Sequence, residues 1–338
     1  MDIILKYLVL ISLYLLSGCS TFIAHVIANT SDINVTGNLS DFMDEFDICD
    51  SNKRCFKAYK TKTKISKMRL TSVNGNSKKV WLYSSIDSNT NEQKPLTNQS
   101  IYLFSGYSQP VNILIMLQDW LSQVTGADVF IIPSANSAEQ FEFGINYVEP
   151  LVTHISKRKQ HVHLMGFSMG AIAAQQVAAQ IDNATLHLIA PMSDFKTSIK
   201  LVLDSDYSNW QKYFISDERI TEVANIVVEK SGIETSVINL FEAISSTNVK
   251  TSIYYSVDDQ IVTDVKWKSF QRVDLRSYRY EDLHHYEMLM LMSKELKTDL
   301  LTNLTNAKYV QSNVDLLGVI CEGSDDGCLS VYDDKGSE

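Results

Sequence analysis

The segment HLMGFSMGAIAAQQVAAQI, from His163 to Ile181, places one serine between two glycines where an apolar run gives way to an alanine-rich run. The residues before the first glycine have the length and composition of a buried strand, and those after the second predict a helix. Gly166 and Gly170 lie two residues to either side of Ser168. A strand, a tight glycine turn and a helix are the context in which G-x-S-x-G presents a serine as a nucleophile. Larger side chains at the two glycine positions would collide with neighbouring backbone.

Strands and helices alternate on both sides of this segment. The predicted strands are SIYLFSG, ADVFIIP, QHVHLMG, ATLHLIAP, KTSIYYSV and RSYRYED. Strands separated by helices of ten or more residues predict an α/β fold with a mostly parallel sheet and flanking helices. Upstream, two alternating segments flank Asn74-Gly75 and predict an antiparallel N-terminal hairpin at one edge of that sheet. Residues from about 193 to 249 have helical periodicity and no strand, which predicts an inserted helical cap.

Composition limits the classes of function. The chain has 338 residues, 45% hydrophobic and 21% charged, as expected of a folded protein with a large core. Its formal net charge of −10 argues against a nucleic-acid partner, which requires a basic face. Residues 20–60 are polar and predict a tether with one short helix around LSDFMDEF. Residues 61–310 form the predicted folded domain, and residues 311–338 form a tail that carries a cysteine pair.

The N-terminus predicts export. Residues 1–19 contain one lysine, then an apolar run from Tyr7 to Leu16 that is too short to span a bilayer and is typical of a signal peptide. The ending Leu16-Ser-Gly-Cys19 resembles the bacterial lipobox, which implies that Cys19 is lipidated. The resemblance implies a lipid-anchored protein of the bacterial cell envelope, with the outer membrane favoured by Ser20. A plain secretory signal and an uncleaved anchor are the alternatives.

The remaining cysteines form two close pairs, Cys49 with Cys55 and Cys321 with Cys328. An even number of cysteines in an exported protein predicts disulfides, and local pairing is the simplest connectivity. The spacing also permits a bridge between the two ends of the chain. A zinc site is less favoured because neither pair has C-x2-C spacing and no histidine lies near them. No metal or organic cofactor is expected.

The strand, G-x-S-x-G turn and helix resemble the α/β-hydrolase superfamily, and the resemblance covers about Lys64 to Thr305. It implies a serine hydrolase of the carboxylesterase or lipase type, with serine, acid and histidine in that chain order. Of seven histidines, only His284 and His285 lie where the superfamily places its base. His285 is preferred because an aromatic residue follows it.

The acid is expected after the strand that follows the cap. Asp259 is preferred because its surroundings, Asp-Gln-Ile-Val, resemble the family pattern; Asp258 is the second choice and Asp194 the third. The predicted oxyanion-hole donors are the backbone N–H groups of Met169 and Tyr107. The family often has His-Gly before the second donor, and this chain has Ser105-Gly106.

The sequence therefore predicts a membrane-tethered serine hydrolase that cleaves carboxylic esters, with lipid esters and thioesters as further candidates. Its expected partners are a small-molecule acyl ester or lipid substrate and the membrane that holds its anchor. The alternative is a non-catalytic surface lipoprotein that uses the same scaffold for binding. The sequence leaves the oligomeric state and the acyl-chain preference open.

Overall fold

The computed structural model describes residues 20–30, 35–36, 42–62, 67–74, 77–84, 94–204, 216–262, 265–268, 270, 272–306 and 320–322. Within these residues the strands are β1 (Val35–Thr36), β2 (Met43–Cys49), β3 (Cys55–Thr61), β4 (Lys67–Asn74), β5 (Ser77–Ser84), β6 (Ser100–Phe104), β7 (Asp128–Ile132), β8 (Val162–Phe167), β9 (Ala184–Ile189), β10 (Lys250–Ser256), β11 (Leu275–Tyr280) and β12 (Ile320–Glu322). The helices are α1 (residues 20–29), α2 (Val111–Thr125), α3 (Val148–Ser156), α4 (Gly170–Ala178), α5 (Phe195–Asp204), α6 (Asp217–Ser231), α7 (Thr235–Ile238), α8 (Leu240–Ser245), α9 (Val265–Lys268), α10 (His285–Leu289) and α11 (Lys294–Thr305).

The main sheet has eight strands in the order β11-β10-β9-β8-β6-β7-β3-β2. The strands from β11 to β7 run parallel to their neighbours, and β3 pairs antiparallel with β7 and with β2. Strands β6 and β8 are buried along their whole length, as expected for parallel strands covered on both faces. Helices α2 and α11 cover one face, and α3, α4 and α8 cover the other. The predicted α/β class with a mostly parallel sheet is confirmed.

The antiparallel edge of this sheet comes from an unexpected part of the chain. The sequence predicts a polar tether over residues 20–60 and a helix around LSDFMDEF, but β2 and β3 lie in this range, so the prediction is wrong for these residues. In β2, buried Met43 and Ile48 are separated by exposed Asp44, Glu45 and Asp47. Charged outward-facing residues suit an edge strand, because they discourage pairing with another chain. The same charges give the segment the composition of a tether.

The hairpin predicted around Asn74-Gly75 is present, with β4 and β5 paired antiparallel and Asn74 opposite Ser77. Its predicted position at the edge of the main sheet is wrong. Strands β4 and β5 instead belong to a separate sheet in the order β1-β4-β5-β12. The alternating pattern fixes pairing within a hairpin, but it carries no information about which sheet the hairpin joins.

Between β9 and β10 the described residues contain helices α5 to α8 and no strand, as predicted for the inserted segment 193–249. Side chains from α5 and α6, including Phe195, Ile220 and Val223, pack in one apolar cluster with Met169 at the start of α4. The inserted helices therefore lie against the turn that carries Ser168.

A disulfide joins Cys49 to Cys55, where β2 turns into β3. The local pairing predicted for these cysteines is confirmed. Cys321 lies in β12, and Cys328 lies outside the described residues, so the pairing of Cys321 stays a prediction.

Two histidines lie buried in neighbouring strands of the main sheet. His163 of β8 and His187 of β9 have ring centroids 5.9 Å apart. Burial, reinforced by nearby positive groups that include Lys250, lowers the pKa of His163 to about 2 and that of His187 to about 3. The two ring nitrogens of His163 lie within hydrogen-bonding distance of the Thr185 hydroxyl and the Gln99 side-chain oxygen. These partners suit a neutral imidazole, which has one donor and one acceptor nitrogen. Both imidazoles are therefore neutral in the folded protein at neutral pH.

This burial predicts acid lability. A folded-state pKa below the unfolded value of about 6.5 means that the unfolded chain binds more protons, so the stabilisation is complete above pH 6.5 and decreases below it. The free energy of unfolding should fall by about 1.4 kcal/mol per pH unit for each histidine as pH decreases from about 6 to about 4. Urea unfolding across this range measures the slope. His187→Leu should flatten the slope, whereas the exposed-site control His25→Gln should not; equal slopes in His187→Leu and wild type would contradict the prediction.

Candidate active site

Ser168 occupies the turn between β8, which ends at Phe167, and α4, which begins at Gly170. Its φ of 49° lies in the left-handed region, which a residue with a side chain adopts only at a cost. A Cβ atom on Gly166 would lie 2.5 Å from the Cα of Ala171. A Cβ on Gly170 would collide with the carbonyl oxygens of Phe104 and Ser105. The two glycines are therefore required by backbone that passes close to the turn, as the sequence predicts.

His285 is the first residue of α10 and reaches this turn from 117 positions along the chain. Its Nε2 lies 3.1 Å from the Ser168 Oγ. Its Nδ1 lies 2.7 Å from the Oδ2 of Asp259. With Nδ1–H donating to the carboxylate, Nε2 carries a lone pair and accepts from the serine hydroxyl. The three side chains form one continuous hydrogen-bonded chain.

Asp259 is held from its other side. Its Oδ1 accepts the backbone N–H groups of Ile261 and Val262, each at 2.9 Å. Its side chain is 2% exposed and that of His285 is 10% exposed. Shielding from water strengthens the interaction between the carboxylate and the imidazole. The turn after β10 thus fixes the carboxylate, and the carboxylate fixes the imidazole ring.

The other candidate residues take no part in the hydrogen bonds that join Ser168, His285 and Asp259. The exposed His284 is the N-cap residue of α10, and its Nδ1 lies 3.3 Å from the carbonyl oxygen of Asp258. The Oδ2 of Asp258 accepts the backbone N–H of Asp282 at 2.8 Å. Asp194 accepts the backbone N–H of Thr197 at the start of α5. Each of these side chains stabilises a loop or a helix end.

The loop after β6 passes directly beside the serine. A Cβ on Gly106 would lie 3.3 Å from the Cβ of Ser168. The backbone N–H groups of Ser105, Gly106, Ser108 and Gln109 all donate to acceptors within the protein. Among the described residues no acceptor meets the N–H of Tyr107, and none meets the N–H of Met169 at the start of α4. These are the two predicted oxyanion donors, and both remain available to a ligand.

Two side chains that the sequence did not indicate hold this loop. Gln109 Oε1 accepts the N–H of Gly106 at 2.7 Å, and Asn136 Oδ1 accepts the N–H of Ser108 at 3.0 Å. By engaging the amides on both sides of Tyr107, they leave the Tyr107 amide as the available donor. Gln109 lies three residues after Gly106, so its side chain can reach back to that amide within one loop, but no motif in the sequence marks it. Asn136 comes from the loop after β7, and no motif marks it either.

Other predicted features are outside the site or outside the described residues. Cys19 lies outside the described residues. No helix in the described part of the chain has the length and apolar character needed to cross a bilayer. Across the same described ranges, no three histidine, cysteine or acidic side chains converge as metal ligands would.

Comparison with known proteins supports the fold. No family model matches the chain, and no curated protein matches it in sequence. An esterase from Pyrococcus furiosus has a similar solved structure, with a TM-score of 0.53 and 11% identity over 84% of this chain and 99% of the other. A carboxylesterase from Bacillus subtilis aligns with a TM-score of 0.42 and 10% identity over 72% of this chain and 93% of the other. With its sheet order, helical insertion and serine turn, the chain has the α/β-hydrolase fold.

Proposed function

We propose that this protein is a serine hydrolase that cleaves carboxylic esters through an acyl-enzyme, with Ser168 as nucleophile, His285 as general base and Asp259 as the acid that orients it. The observation that supports this most directly is the continuous chain from Ser168 Oγ to His285 Nε2, at 3.1 Å, and from His285 Nδ1 to Asp259 Oδ2, at 2.7 Å. A serine acquires nucleophilic reactivity when a base accepts its proton and a third group orients that base.

In the acylation step, the Ser168 hydroxyl transfers its proton to His285 Nε2 while Oγ forms a bond to the ester carbonyl carbon. The carbonyl oxygen becomes an oxyanion, which the N–H groups of Met169 and Tyr107 stabilise. The imidazolium returns its proton to the departing alkoxide, which leaves as an alcohol. A water molecule then attacks the acyl-enzyme by the same route, giving the carboxylic acid and free Ser168. Asp259 remains ionised and stabilises the imidazolium in both steps.

A fluorophosphonate probe tests this assignment, since it forms a covalent adduct only with an activated serine. We expect labelling of the full-length protein at Ser168 and none in Ser168→Ala. A panel of p-nitrophenyl esters of increasing chain length then reports the acyl preference. Folded protein that takes up no probe would reject the enzyme and favour the non-catalytic binding lipoprotein.

We also propose that the protein is tethered to the cell envelope by a lipid on Cys19. The support is the apolar run followed by Leu-Ser-Gly-Cys at residues 16–19. Metabolic labelling with a palmitate analogue should mark the wild-type chain and should fail in Cys19→Ala. Label that persists in Cys19→Ala would reject the anchor without affecting the assignment of Ser168.

A further inference from the structure

Tyr107, whose amide is one of the two available oxyanion donors, lies in a four-residue turn. The backbone N–H of Gln109 donates to the carbonyl oxygen of Gly106 at 3.2 Å, which closes the turn over residues 106–109. Ser108, the third residue, has a φ of 52°, and Tyr107, the second, has a negative φ. A negative φ followed by a positive φ defines a type II turn. The donor therefore lies at the second position of a type II turn.

Serine does not favour the third position of such a turn. A type II turn requires φ > 0 there, which glycine adopts readily and a residue with a side chain adopts only at a cost. The commoner type I turn needs a negative φ at the same position and suits most residues. The two turns differ by rotation of the peptide that joins the second residue to the third. By its own preference the segment Gly-Tyr-Ser-Gln would form a type I turn, with the peptide between Tyr107 and Ser108 rotated.

Asn136, from the loop after β7, holds this peptide in its observed orientation. Its Oδ1 accepts the N–H of Ser108 at 3.0 Å. In a type I turn this N–H would point away from Asn136, and the carbonyl oxygen of Tyr107 would face Oδ1 instead. Two oxygens with no proton between them repel each other. Asn136 therefore stabilises the type II turn and disfavours the type I turn.

Asn136 is itself fixed by neighbouring groups. Ser134 Oγ donates to Asn136 Oδ1 at 3.0 Å and accepts the backbone N–H of Asn136 at 3.2 Å. Ser134 is fully buried, and its carbonyl oxygen accepts the Tyr147 hydroxyl at 2.9 Å. Because a backbone N–H can only donate, the atom of Asn136 that faces Ser108 is the oxygen. The acceptor for the turn thus has one orientation.

Catalysis depends on where the Tyr107 amide points. Donors stabilise an oxyanion from a fixed position, and a misplacement of about 1 Å costs about 100-fold in rate. The side chains of Gln109 and Asn136 fix the amides on either side of Tyr107. Without the second contact, rotation of the peptide changes ψ of Tyr107 and φ of Ser108 together. The turn then no longer holds the Tyr107 N–H in one place.

We propose that Asn136 is a positioning residue for the oxyanion hole, because its contact with the Ser108 N–H keeps residues 106–109 in the turn that presents the Tyr107 amide. This inference rests on the proposed function. Asn136 acts through the backbone conformation of Ser108 and not through the substrate. Its importance should therefore depend on the residue at position 108, and a glycine there should make Asn136 dispensable.

Asn136→Leu removes the acceptor with little change in side-chain volume. Steady-state kinetics on p-nitrophenyl acetate, with active sites counted by complete titration with a fluorophosphonate, separates a displaced donor from loss of folded protein. We expect kcat per titrated site to fall by about 10- to 100-fold with KM nearly unchanged, since the donor binds the oxyanion more strongly than the carbonyl. The inhibition constant of phenylboronic acid, whose adduct with serine is tetrahedral, should rise in parallel.

Ser108→Gly supplies the comparison that isolates the mechanism. In the Ser108→Gly background, Asn136→Leu should lower kcat per site by less than about threefold relative to Ser108→Gly alone, because glycine keeps the positive φ without support. Asn136→Ala gives the same comparison in a smaller side chain if the leucine variant does not fold.

Gln109→Met tests the other side of the turn. It removes the acceptor of the Gly106 N–H, which precedes Tyr107 and does not depend on φ of Ser108. Its loss of kcat should therefore be equal in the serine and glycine backgrounds. The control for simple loss of an acceptor is Asn239→Leu, since Asn239 Oδ1 accepts the backbone N–H of Glu242 in α8. It should lower thermal stability and leave kcat per site unchanged.

The positioning role is overturned if Asn136→Leu keeps the wild-type kcat per site, or if it loses only titrated sites. An equal loss of kcat in the serine and glycine backgrounds also overturns it, because Asn136 would then not act through Ser108. In each of these cases the wild-type protein is still labelled at Ser168, so the serine hydrolase stands. Absence of labelling in the wild-type protein rejects the serine hydrolase, and the positioning role with it.

Discussion

His285→Ala is expected to lower kcat for ester hydrolysis by about 10⁴-fold or more, the size of the loss when the base of a serine–histidine–acid triad is removed. The reason is the 3.1 Å contact between His285 Nε2 and Ser168 Oγ. Without it, no described side chain takes the serine proton, and the alkoxide leaving group receives none in return. Steady-state kinetics on a short p-nitrophenyl ester measures the change, and KM should change far less than kcat.

The matched control is His284→Ala, one residue away. His284 is exposed and faces the carbonyl oxygen of Asp258 rather than the serine. We expect it to keep wild-type kcat, with a small loss of stability from the N-terminus of α10. If the two alanine variants lost activity equally, or if His284→Ala were the inactive one, the assignment of the base would be wrong.

These neighbouring histidines show which parts of the site could be predicted from the sequence and which could not. The serine turn could be predicted because its requirements are local: a strand, two glycines at fixed offsets and a helix. Chain order then reduced seven histidines to two. The final choice depends on where α10 begins, since the N-cap residue and the first helical residue point in different directions. A helix boundary is uncertain by a residue or two in any sequence pattern, and here that uncertainty equals the separation of the two candidates.

The parts of the fold that the sequence did not predict depend on contacts between distant residues. The charged segment at Met43–Cys49 has the composition of a tether and no regular alternation of buried and exposed residues. Only its pairing with β3, and that of β3 with β7, makes it the edge of the main sheet. The residues of α1 likewise gave no local sign that they pack in the apolar cluster that contains Met169. Ala24 is unremarkable in sequence, and its complete burial arises from side chains more than one hundred positions away.

Asp259→Asn is expected to lower kcat by about 10⁴-fold while leaving the fold intact. The substituted amide keeps an oxygen that can accept the N–H groups of Ile261 and Val262, so the turn after β10 is preserved. Its NH₂ group then faces His285 Nδ1, which must act as an acceptor. The ring proton moves to Nε2, and a protonated Nε2 cannot accept the proton of Ser168. The loss therefore comes from the wrong tautomer rather than from a displaced ring.

The comparison with Asp258→Asn isolates this effect, because the two aspartates are adjacent and each replacement removes one negative charge. Asp258 is exposed and accepts only the N–H of Asp282 among the described partners, a role that an asparagine oxygen can fill. We expect Asp258→Asn to retain wild-type kcat. Circular dichroism and thermal unfolding of both variants should match wild type. The Asp259 side chain is 2% exposed, so water cannot replace its hydrogen bond to His285 when the carboxylate is changed to an amide. Equal loss of kcat in the two variants would mean that net charge near the site sets the rate, and not the 2.7 Å hydrogen bond to His285.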